Sequence, residues 1–574
     1  MQKPWSRFNP LSQLEQATGL RMYEARDSLA LMLTGATVGA LSGLAAVALN
    51  LSVHWMESWR NHQSMMMLLV LPALGAGAGI LIQRHLFRDQ TGHGVPDVIE
   101  SVTTGRGFLP RRLLGSRLIS SFLTVGSGGA AGLEGPIVVS GAAIGSIVSR
   151  MLHVKQRRRM LLIACGTSGA IAGIFNAPLT GLVFSLEVIL GEWKARNLVP
   201  SVTAAVVATQ VSRMLMGNKI PFPREALDHG FIDIPACALL GVICALCGRL
   251  FVDMLGYSHH RFSGIRLPRF IVAGIGGLCV GLVGAFWPDS MGEGYQLIAA
   301  YIEDSPSGSL FLVGFLLALR LVTTSLTLGS GGAGGVFAPS LVFGSSLGLM
   351  FGRILQWLQL PFASPGAYAL MGMAGFVAGI MNAPLTGVFL VLEICGGYDL
   401  VLPLMMCSLV SMLTWRFMKQ GSIYTNDMIV KGAYLKRGSE AQLFADMEWS
   451  ELVQEVRLIP ETMTLGEFVD QYGTSQDDLY GVNDSQGKFT GLLFSRDIRP
   501  YFWDRDMYPL ITMSSLVHQG VSLTSDQSPV DAWNLLGSEE AVPVLNSRGE
   551  LLGVVNKIKL FDTARREMAV HEES

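Results

Sequence analysis

The chain has 574 residues, of which 50% are hydrophobic and 15% are charged, and its formal net charge at pH 7 is −2. Soluble domains typically carry about 25% charged residues, and the mean hydropathy of +0.42 is that of a membrane protein. The near-zero net charge provides no basic surface for DNA or RNA, so we expect no nucleic-acid partner.

Charge is unevenly distributed along the chain. Residues 160–190 contain one acid and neither lysine nor arginine, whereas residues 438–574 are densely charged. The first apolar run, residues 29–53, can span a bilayer of ~30 Å and is too long for the core of a signal peptide, so we expect insertion and not secretion. The predicted parts are a cytoplasmic N-terminal segment at 1–27, a membrane domain at 28–430, a linker at 431–447 and a soluble domain at 448–574.

Several candidate membrane segments are shorter than the ~20 residues that a spanning helix needs. Short segments broken by glycine and proline are tolerated where other protein or a water-filled cavity satisfies the backbone. The sequence therefore predicts a mostly α-helical bundle of tilted and re-entrant helices. The candidate segments are 28–56, 66–84, 113–125, 137–152, 160–175, 178–191, 198–216, 235–256, 270–287, 309–328, 340–358, 368–380, 385–395 and 399–418.

One carboxylate lies inside a glycine-rich stretch of the apolar region. Residues 126–136 read Gly-Ser-Gly-Gly-Ala-Ala-Gly-Leu-Glu-Gly-Pro, with the acid at Glu134 and the proline at Pro136. Glycines let the backbone bend and approach a ligand, and proline suits the first turn of a helix. The free N–H groups and positive dipole of such a helix start form an anion site. We expect Glu134 to compete with an anion for this site.

A second copy of this stretch follows at residues 329–339, with Phe337 at the position of Glu134. Residues 175–181 and 381–387 form a further pair that shares Asn-Ala-Pro-Leu-Thr-Gly. Repeats of this length predict a transporter whose broken helices meet near the membrane midplane. The repeats are placed at about 28–216 and about 235–420.

The loops that follow the two glycine-rich stretches differ in charge. Residues 155–159 are Lys-Gln-Arg-Arg-Arg, whereas residues 354–370 contain neither lysine nor arginine. The positive-inside rule places the first loop in the cytoplasm and the second outside, so the repeats are inverted. Glu187 and Glu393 lie at matching positions in both repeats. We interpret them as structural acids that need hydrogen-bonding partners.

The soluble region changes to short alternating runs. Residues 479–493 predict strand, turn and strand, and residues 541–555 repeat this pattern 62 residues later. A helical segment follows each copy. The pattern predicts two α/β repeats, at about 448–505 and about 506–566.

Three motifs together carry a family resemblance. They read Gly-His-Gly-Val-Pro at 92–96, Gly-Leu-Glu-Gly-Pro at 132–136 and Gly-Val-Phe-Ala-Pro at 335–339. With the Asn-Ala-Pro repeats, they resemble the CLC family of chloride channels and chloride/proton exchangers across residues 28–430. The C-terminal region resembles a tandem pair of cystathionine-β-synthase (CBS) domains, which many CLC proteins carry.

The resemblance implies a homodimer with one pore for chloride or a similar small anion in each subunit. It implies that Glu134 gates the pathway, and backbone dipoles with a hydroxyl would hold the anion weakly enough to release it. It also implies a multi-pass protein of the cell (inner) membrane with both termini in the cytoplasm. The anion-binding residues carried over by position are His93, Gly94, Gly135, Val336, Phe337 and Tyr424.

Two positions depart from the family pattern. His93 occupies the usual position of a serine that contacts the anion. Its imidazole would bind the anion, make binding depend on pH, or turn away. Val188 occupies the position of the internal proton-transferring glutamate of exchangers, which favours passive chloride conduction. The alternative is chloride/proton antiport, with protons carried by water or by Glu192, expected one helical turn beyond Val188.

The CBS pair also departs from the Gly-x-x-Thr-x-x-Asp pattern of nucleotide-binding pairs. The first copy keeps the acid as Asp497 but displaces the hydroxyl, and the second has Lys559 in place of the acid. We favour a module for dimerisation and coupling over one that binds an adenine nucleotide. A less favoured hypothesis is a nucleotide sensor with a vestigial pore. Neither an enzyme site nor a metal site is predicted, and no cofactor is expected to be required.

Overall fold

The computed structural model describes residues 10–89, 94–103, 107–218, 222, 233–303, 309–360, 363–419, 421–430, 449–475, 477–527, 529–536, 539–546 and 548–559. They fall into two compact units, one within Met1–Val102 and Gly107–Tyr434 and the other within Thr103–Arg106 and Leu435–Ser574. The predicted linker at 431–447 lies outside the described residues, as does His93.

The first unit is built from helices in two series that correspond in order. The first series is α1 (Pro10–Asn61), α2 (Met65–Leu81), α3 (Val95–Thr103), α4 (Arg112–Gly126), α5 (Glu134–Met151), α6 (Gln156–Phe175), α7 (Pro178–Phe184) and α8 (Ala195–Met216). The second is α9 (Asp233–Ser263), α10 (Arg269–Phe286), α11 (Tyr295–Ile302), α12 (Leu310–Gly329), α13 (Phe337–Trp357), α14 (Pro365–Met381), α15 (Pro384–Cys395) and α16 (Val401–Met418). A short helix, α17 (Asn426–Val430), follows them.

Many of these helices are suited to a bilayer. Among the described residues, nine helices are apolar and long enough to cross a membrane, and three apolar segments of 10–17 residues accompany them. Those shorter segments begin at Pro178, Pro365 and Pro384. The prediction of a mostly α-helical membrane bundle that includes helices too short to span is confirmed.

The Asn-Ala-Pro repeats explain how two long helices end and two short ones begin. Asn176 ends α6 and Asn382 ends α14, each in the left-handed region, with φ values of 57° and 54°. Asparagine tolerates this conformation at the end of a helix. Proline starts α7 and α15, where its missing N–H leaves no bond unmade. The same sharp turn therefore occurs once in each repeat.

The second unit contains two small sheets of the same design. In one, β1 (Arg457–Pro460) pairs in parallel with β2 (Leu479–Asn483), which pairs antiparallel with β3 (Phe489–Phe494). In the other, β4 (Leu523–Thr524), β5 (Ala541–Leu545) and β6 (Leu551–Asn556) repeat this order. The predicted strand–turn–strand repeats are therefore confirmed. The helices of this unit are α18 (Trp449–Leu452), α19 (Leu465–Tyr472), α20 (Ser495–Ile498) and α21 (Pro529–Leu535).

The cores of the two small repeats interleave along the chain. Met513 is buried in a cluster with Ile459 and Tyr480 of the first sheet. Leu452, which precedes both sheets, is buried in a cluster with Val542 of the second sheet. Each predicted repeat, on its side of the boundary at 505/506, therefore contributes a residue to the hydrophobic core of the other repeat's sheet.

Candidate functional site

The two glycine-rich loops meet through a pair of backbone hydrogen bonds. The N–H of Gly132 donates to the carbonyl of Gly335 at 2.8 Å, and the N–H of Gly335 donates to the carbonyl of Gly132 at 2.7 Å. A Cβ atom on Gly335 would lie only 2.7 Å from the backbone nitrogen of Gly135, so glycine is required there. The starts of α5 and α13 are thereby brought to one place.

Thr124 and Thr327 reinforce this junction in the same reciprocal way. The Thr327 hydroxyl accepts a hydrogen bond from the N–H of Ala130 at 3.1 Å. The Thr124 hydroxyl accepts one from the N–H of Ala333 at 3.3 Å. Each threonine thus fixes the glycine-rich loop of the other repeat.

Glu134 lies at this junction and is almost completely buried, with 1% of its surface exposed. Its Oε2 accepts a hydrogen bond of 3.4 Å from the N–H of Ala338, in the first turn of α13. Its Oε1 accepts a bond of 2.5 Å from the hydroxyl of Tyr295. The carboxylate therefore occupies the start of the other repeat's helix, where backbone N–H groups attract an anion.

Tyr295 was not singled out from the sequence. It is the first residue of α11, and its ring lies 5.9 Å from that of Phe222 in an edge-to-face arrangement. The sequence did contain a signal, because Gly292-Glu293-Gly294 repeats the Gly-x-Gly of residues 92–94, and each copy precedes a short helix. Gly94 and Gly294 both have positive φ, at 74° and 87°.

A cavity of about 670 Å³ lies beside the junction and is lined by four of the predicted anion-binding residues. These four residues are Gly94, Gly135, Val336 and Tyr424. Charged side chains also line the cavity, some basic and some acidic: Arg84, Arg117, His259, Arg269, Asp89, Asp97 and Glu100. An anion in this space would face the starts of α5 and α13.

Phe337, the first residue of α13, is buried, with 1% of its surface exposed. Its ring packs 5.6 Å from that of Phe175 and 6.3 Å from that of Phe184. The side chain is therefore held by aromatic contacts from the first repeat, while its backbone begins α13.

Tyr424 presents a hydroxyl with a weak partner. The residue is 7% exposed, and the hydroxyl's contact is with Sδ of Met381 at 3.9 Å. A thioether is a poor acceptor, so this proton remains available to an anion in the cavity.

Gly94 lines the cavity and forms two hydrogen bonds with Asp97. Its N–H donates to Oδ2 of Asp97 at 3.3 Å, and its carbonyl accepts from the N–H of Asp97 at 3.1 Å. In this structure the backbone N–H of Gly94 therefore points to a carboxylate within its own helix start. Gly94 contributes to the cavity as lining.

Glu187 and Glu393 cap helices of each other's repeat. Glu187 accepts hydrogen bonds from the backbone and hydroxyl of Thr386, at 2.8 and 2.7 Å. Glu393 accepts the equivalent pair from Thr180, both at 2.7 Å. The prediction that each acid has a hydrogen-bonding partner is confirmed, and each acid stabilises the N-terminus of the short helix in the other half.

Val188 is half-buried and packs against the main hydrophobic cluster. The expectation that Glu192 lies one helical turn further is wrong, because the chain leaves the helix first. A π-helical turn, Ser185–Leu190, ends at Gly191, which has a φ of 62°. Glu192 instead pairs with Lys194 at 2.9 Å and accepts a bond from Asn197 at 3.0 Å.

In the second unit, Asp497 contacts protein side chains. Its Oδ2 lies 3.1 Å from Nε2 of His518, and its Oδ1 lies 3.6 Å from Nε of Arg496. The carboxylate remains partly exposed, with 27% of its side-chain surface accessible. It belongs to a small charged group at the end of β3.

Comparison with known proteins identifies the membrane unit. Residues 74–416 match the family model described as voltage gated chloride channel. The H(+)/Cl(−) exchange transporter ClcA of Salmonella paratyphi B is 29% identical over 439 residues, covering 72% of this chain and 91% of that protein. A putative chloride channel protein, ClcB-like, of Ralstonia nicotianae is 31% identical over 365 residues, covering 62% of this chain and 84% of that protein.

The fold agrees with these matches. The crystal structure of a eukaryotic CLC transporter superposes with a TM-score of 0.62 at 19% identity, covering 92% of this chain and 98% of that one. With the matched motifs and the apolar helices, these similarities establish that the chain belongs to the voltage-gated chloride channel (CLC) family and is an integral, multi-pass membrane protein.

Proposed function

We propose that the chain transports chloride by passive conduction through a pathway gated by Glu134. The observation that carries this proposal is the position of the Glu134 carboxylate on the N–H of Ala338, at the start of α13. The cavity lined by Gly135, Val336 and Tyr424 then forms the approach for the anion.

The gating step follows from charge. An ionised Glu134 occupies the position at the helix start and excludes chloride from it. A protonated Glu134 lacks the negative charge that holds it there, so it leaves and an anion takes its place. Backbone dipoles and the Tyr424 hydroxyl bind chloride without a full positive charge, which allows its release.

Passive conduction is supported by the residue at the internal proton position. Val188 has no ionisable group, and Glu192 is held by Lys194 and Asn197 beyond the end of the helix. A proton that enters from the cytoplasmic side would therefore not find, at position 188, the carboxylate that exchangers of the family use.

Chloride/proton antiport is the second candidate. It is favoured by the name of the ClcA relative, which is an exchange transporter. It is also favoured by the acids Asp97 and Glu100 and by His259, which line the cavity and would border water that carries protons.

Purified protein in lipid vesicles distinguishes the two candidates. Vesicles are loaded with chloride, a pH-sensitive dye reports the internal pH, and valinomycin with potassium sets the voltage. Passive conduction predicts chloride efflux without proton movement against its gradient. Proton uptake driven by chloride efflux, abolished in Glu134→Gln, would establish antiport and overturn passive conduction.

The remaining features are proposed from the family and the charge pattern. We place two subunits together, each with its own pathway, in the cell (inner) membrane. The basic loop at 155–159 supports a cytoplasmic location for that face and for both termini. The second unit acts as a coupling module, because Asp497 is engaged with His518 and the second repeat has Lys559 where a ribose-binding acid is needed.

A further inference from the structure

Glu293 is a buried carboxyl group that the gating scheme above does not use. It lies in the loop between α10 and α11, two residues before Tyr295, and 6% of its surface is exposed. Among the residues that the structure describes, it has neither a hydrogen bond nor an ion pair within 4.0 Å. A buried carboxyl group without partners is a costly feature unless it has a use.

The repeat symmetry places Glu293 at the counterpart of His93. Gly292-Glu293-Gly294 and Gly92-His93-Gly94 each precede a short helix, α11 and α3 respectively. Gly94 lines the cavity on one side of the junction. Because the repeats are inverted, the loop of Glu293 approaches the same junction from the opposite side, where Gly292 bonds to the carbonyl of Gly128 at 3.3 Å.

The loop that carries Glu293 is held rigidly by Arg320. This guanidinium is 1% exposed and donates to the carbonyls of Asp289, Met291 and Gly292 at 2.9, 2.7 and 2.9 Å. Trp287, Pro288 and Asp289 at the start of the loop are exposed. The loop thus connects the surface with the buried position of Glu293.

Several ionisable groups face Glu293 from the surrounding helices. Glu134, Glu57 and Arg320 interact with it electrostatically, and so does Tyr295. Glu57 pairs with Arg60 at 3.1 Å, and Glu134 accepts hydrogen bonds from Tyr295 and Ala338. Burial and the nearby Glu134 carboxylate raise the pKa of Glu293, in the loop between α10 and α11, well above the ordinary glutamate value.

We propose that Glu293 is the proton donor and acceptor for Glu134 on the side of the membrane where α1 ends. This inference rests on the proposed gating function. The proton leaves the carboxyl of Glu293 and binds the carboxylate of Glu134, so Glu293 becomes the anion and Glu134 becomes neutral. The fixed charge of Arg320 stabilises the ionised Glu293, which takes a new proton from water at the exposed end of the loop.

The test is the pH dependence of chloride efflux from vesicles that contain Glu293→Gln. Without the donor, the pH of half-maximal efflux should fall by about one unit. At a fixed pH above the midpoint, the variant should then show about tenfold less chloride flux than the wild type. Glu293→Asp keeps a carboxyl group and should restore most of the wild-type profile. Glu303→Gln removes an exposed carboxylate at the end of α11 and is the matched control, which should behave as wild type.

A second background separates proton delivery from damage to the fold. In Glu134→Gln the acceptor is gone, so adding Glu293→Gln should leave efflux unchanged. An equal loss in both backgrounds, or a wild-type profile for folded Glu293→Gln, would overturn the role of Glu293 while leaving gating by Glu134 intact. Wild-type vesicles without any chloride flux would instead refute the proposed function and the inference with it.

Discussion

The hydroxyl of Tyr295 donates a hydrogen bond of 2.5 Å to Oε1 of Glu134, so α11 holds the carboxylate that starts α5. This contact joins residues 161 positions apart and adds a third helix to the junction of α5 and α13. Hydrogen bonds to a charged group contribute roughly 1.5–3 kcal/mol. Tyr295 therefore stabilises the observed position of the Glu134 carboxylate at the start of α13.

Tyr295→Phe should release this restraint. Removing about 2 kcal/mol from the closed state predicts a rise in chloride efflux of about tenfold or more at a pH where Glu134 is ionised. Efflux from vesicles at fixed voltage measures it. Tyr301→Phe removes a hydroxyl from the same helix and should leave efflux as in the wild type. A decrease in Tyr295→Phe would show that the hydroxyl assists opening.

Glu134→Gln should keep the pathway open at all pH values. The neutral amide has no charge to hold it at the start of α13, so efflux should be high and flat with pH. Wild-type efflux should instead fall about tenfold per pH unit above its midpoint, following the ionised fraction of one carboxyl group. Parallel pH series for the two proteins provide the measurement. The same pH dependence in both would remove Glu134 from the gate.

Val188→Glu should add a proton-binding group at the internal position. If passive conduction reflects the absence of a carboxylate there, this variant should move protons against their gradient when chloride flows out. Val188→Gln has a similar size without a titratable group and should not. Dye-detected internal pH reports the difference. Proton movement in both variants, or in the wild type, would mean that another route carries protons.

Glu187→Gln and Glu393→Gln should each lower the stability of the fold, and by similar amounts. Each replaces a carboxylate that accepts bonds from a backbone N–H and a threonine hydroxyl at the start of a short helix. The loss should be about 1–3 kcal/mol in each case, seen as a lower unfolding temperature in detergent. A transport defect in only one variant, with unchanged stability, would give that acid a role in transport.

His93→Ser restores the serine that the family usually has in the motif at 92–96, and so tests whether the imidazole contacts the anion. If the imidazole faces the anion, the variant should alter the permeability of bromide, nitrate and fluoride relative to chloride. It should also remove any part of the pH dependence that persists in Glu134→Gln, since histidine titrates near neutral pH. Identical permeability ratios and pH profiles would indicate that His93 turns away from the pathway.

The sequence predicted the features that depend on local chemistry. Glycine spacing and Pro136 placed Glu134 at a helix start, and the repeated Asn-Ala-Pro predicted the second copy of each turn. The contact between Tyr295 and Glu134 could not be predicted from local chemistry, because it joins residues 161 positions apart and depends on how the two repeats pack. The Gly-x-Gly at 292–294 was the available clue, and the missing proline after it hid the resemblance to residues 92–96.

Where prediction failed, a single backbone conformation decided the outcome. Helical periodicity placed Glu192 one turn beyond Val188, but the left-handed conformation of Gly191 directs the chain out of the helix. In contrast, the prediction that Glu187 and Glu393 have hydrogen-bonding partners is confirmed, and the packing of the two repeats adds that each partner belongs to the other half.

The reciprocal bonds between Gly132 and Gly335 limit how this molecule can work. Many transporters with inverted repeats tilt one half against the other to expose a site alternately. In this structure, such a tilt at the junction would break the two buried backbone hydrogen bonds and the threonine hydrogen bonds beside them. We therefore expect that a covalent link between the two halves at this junction would leave chloride efflux intact.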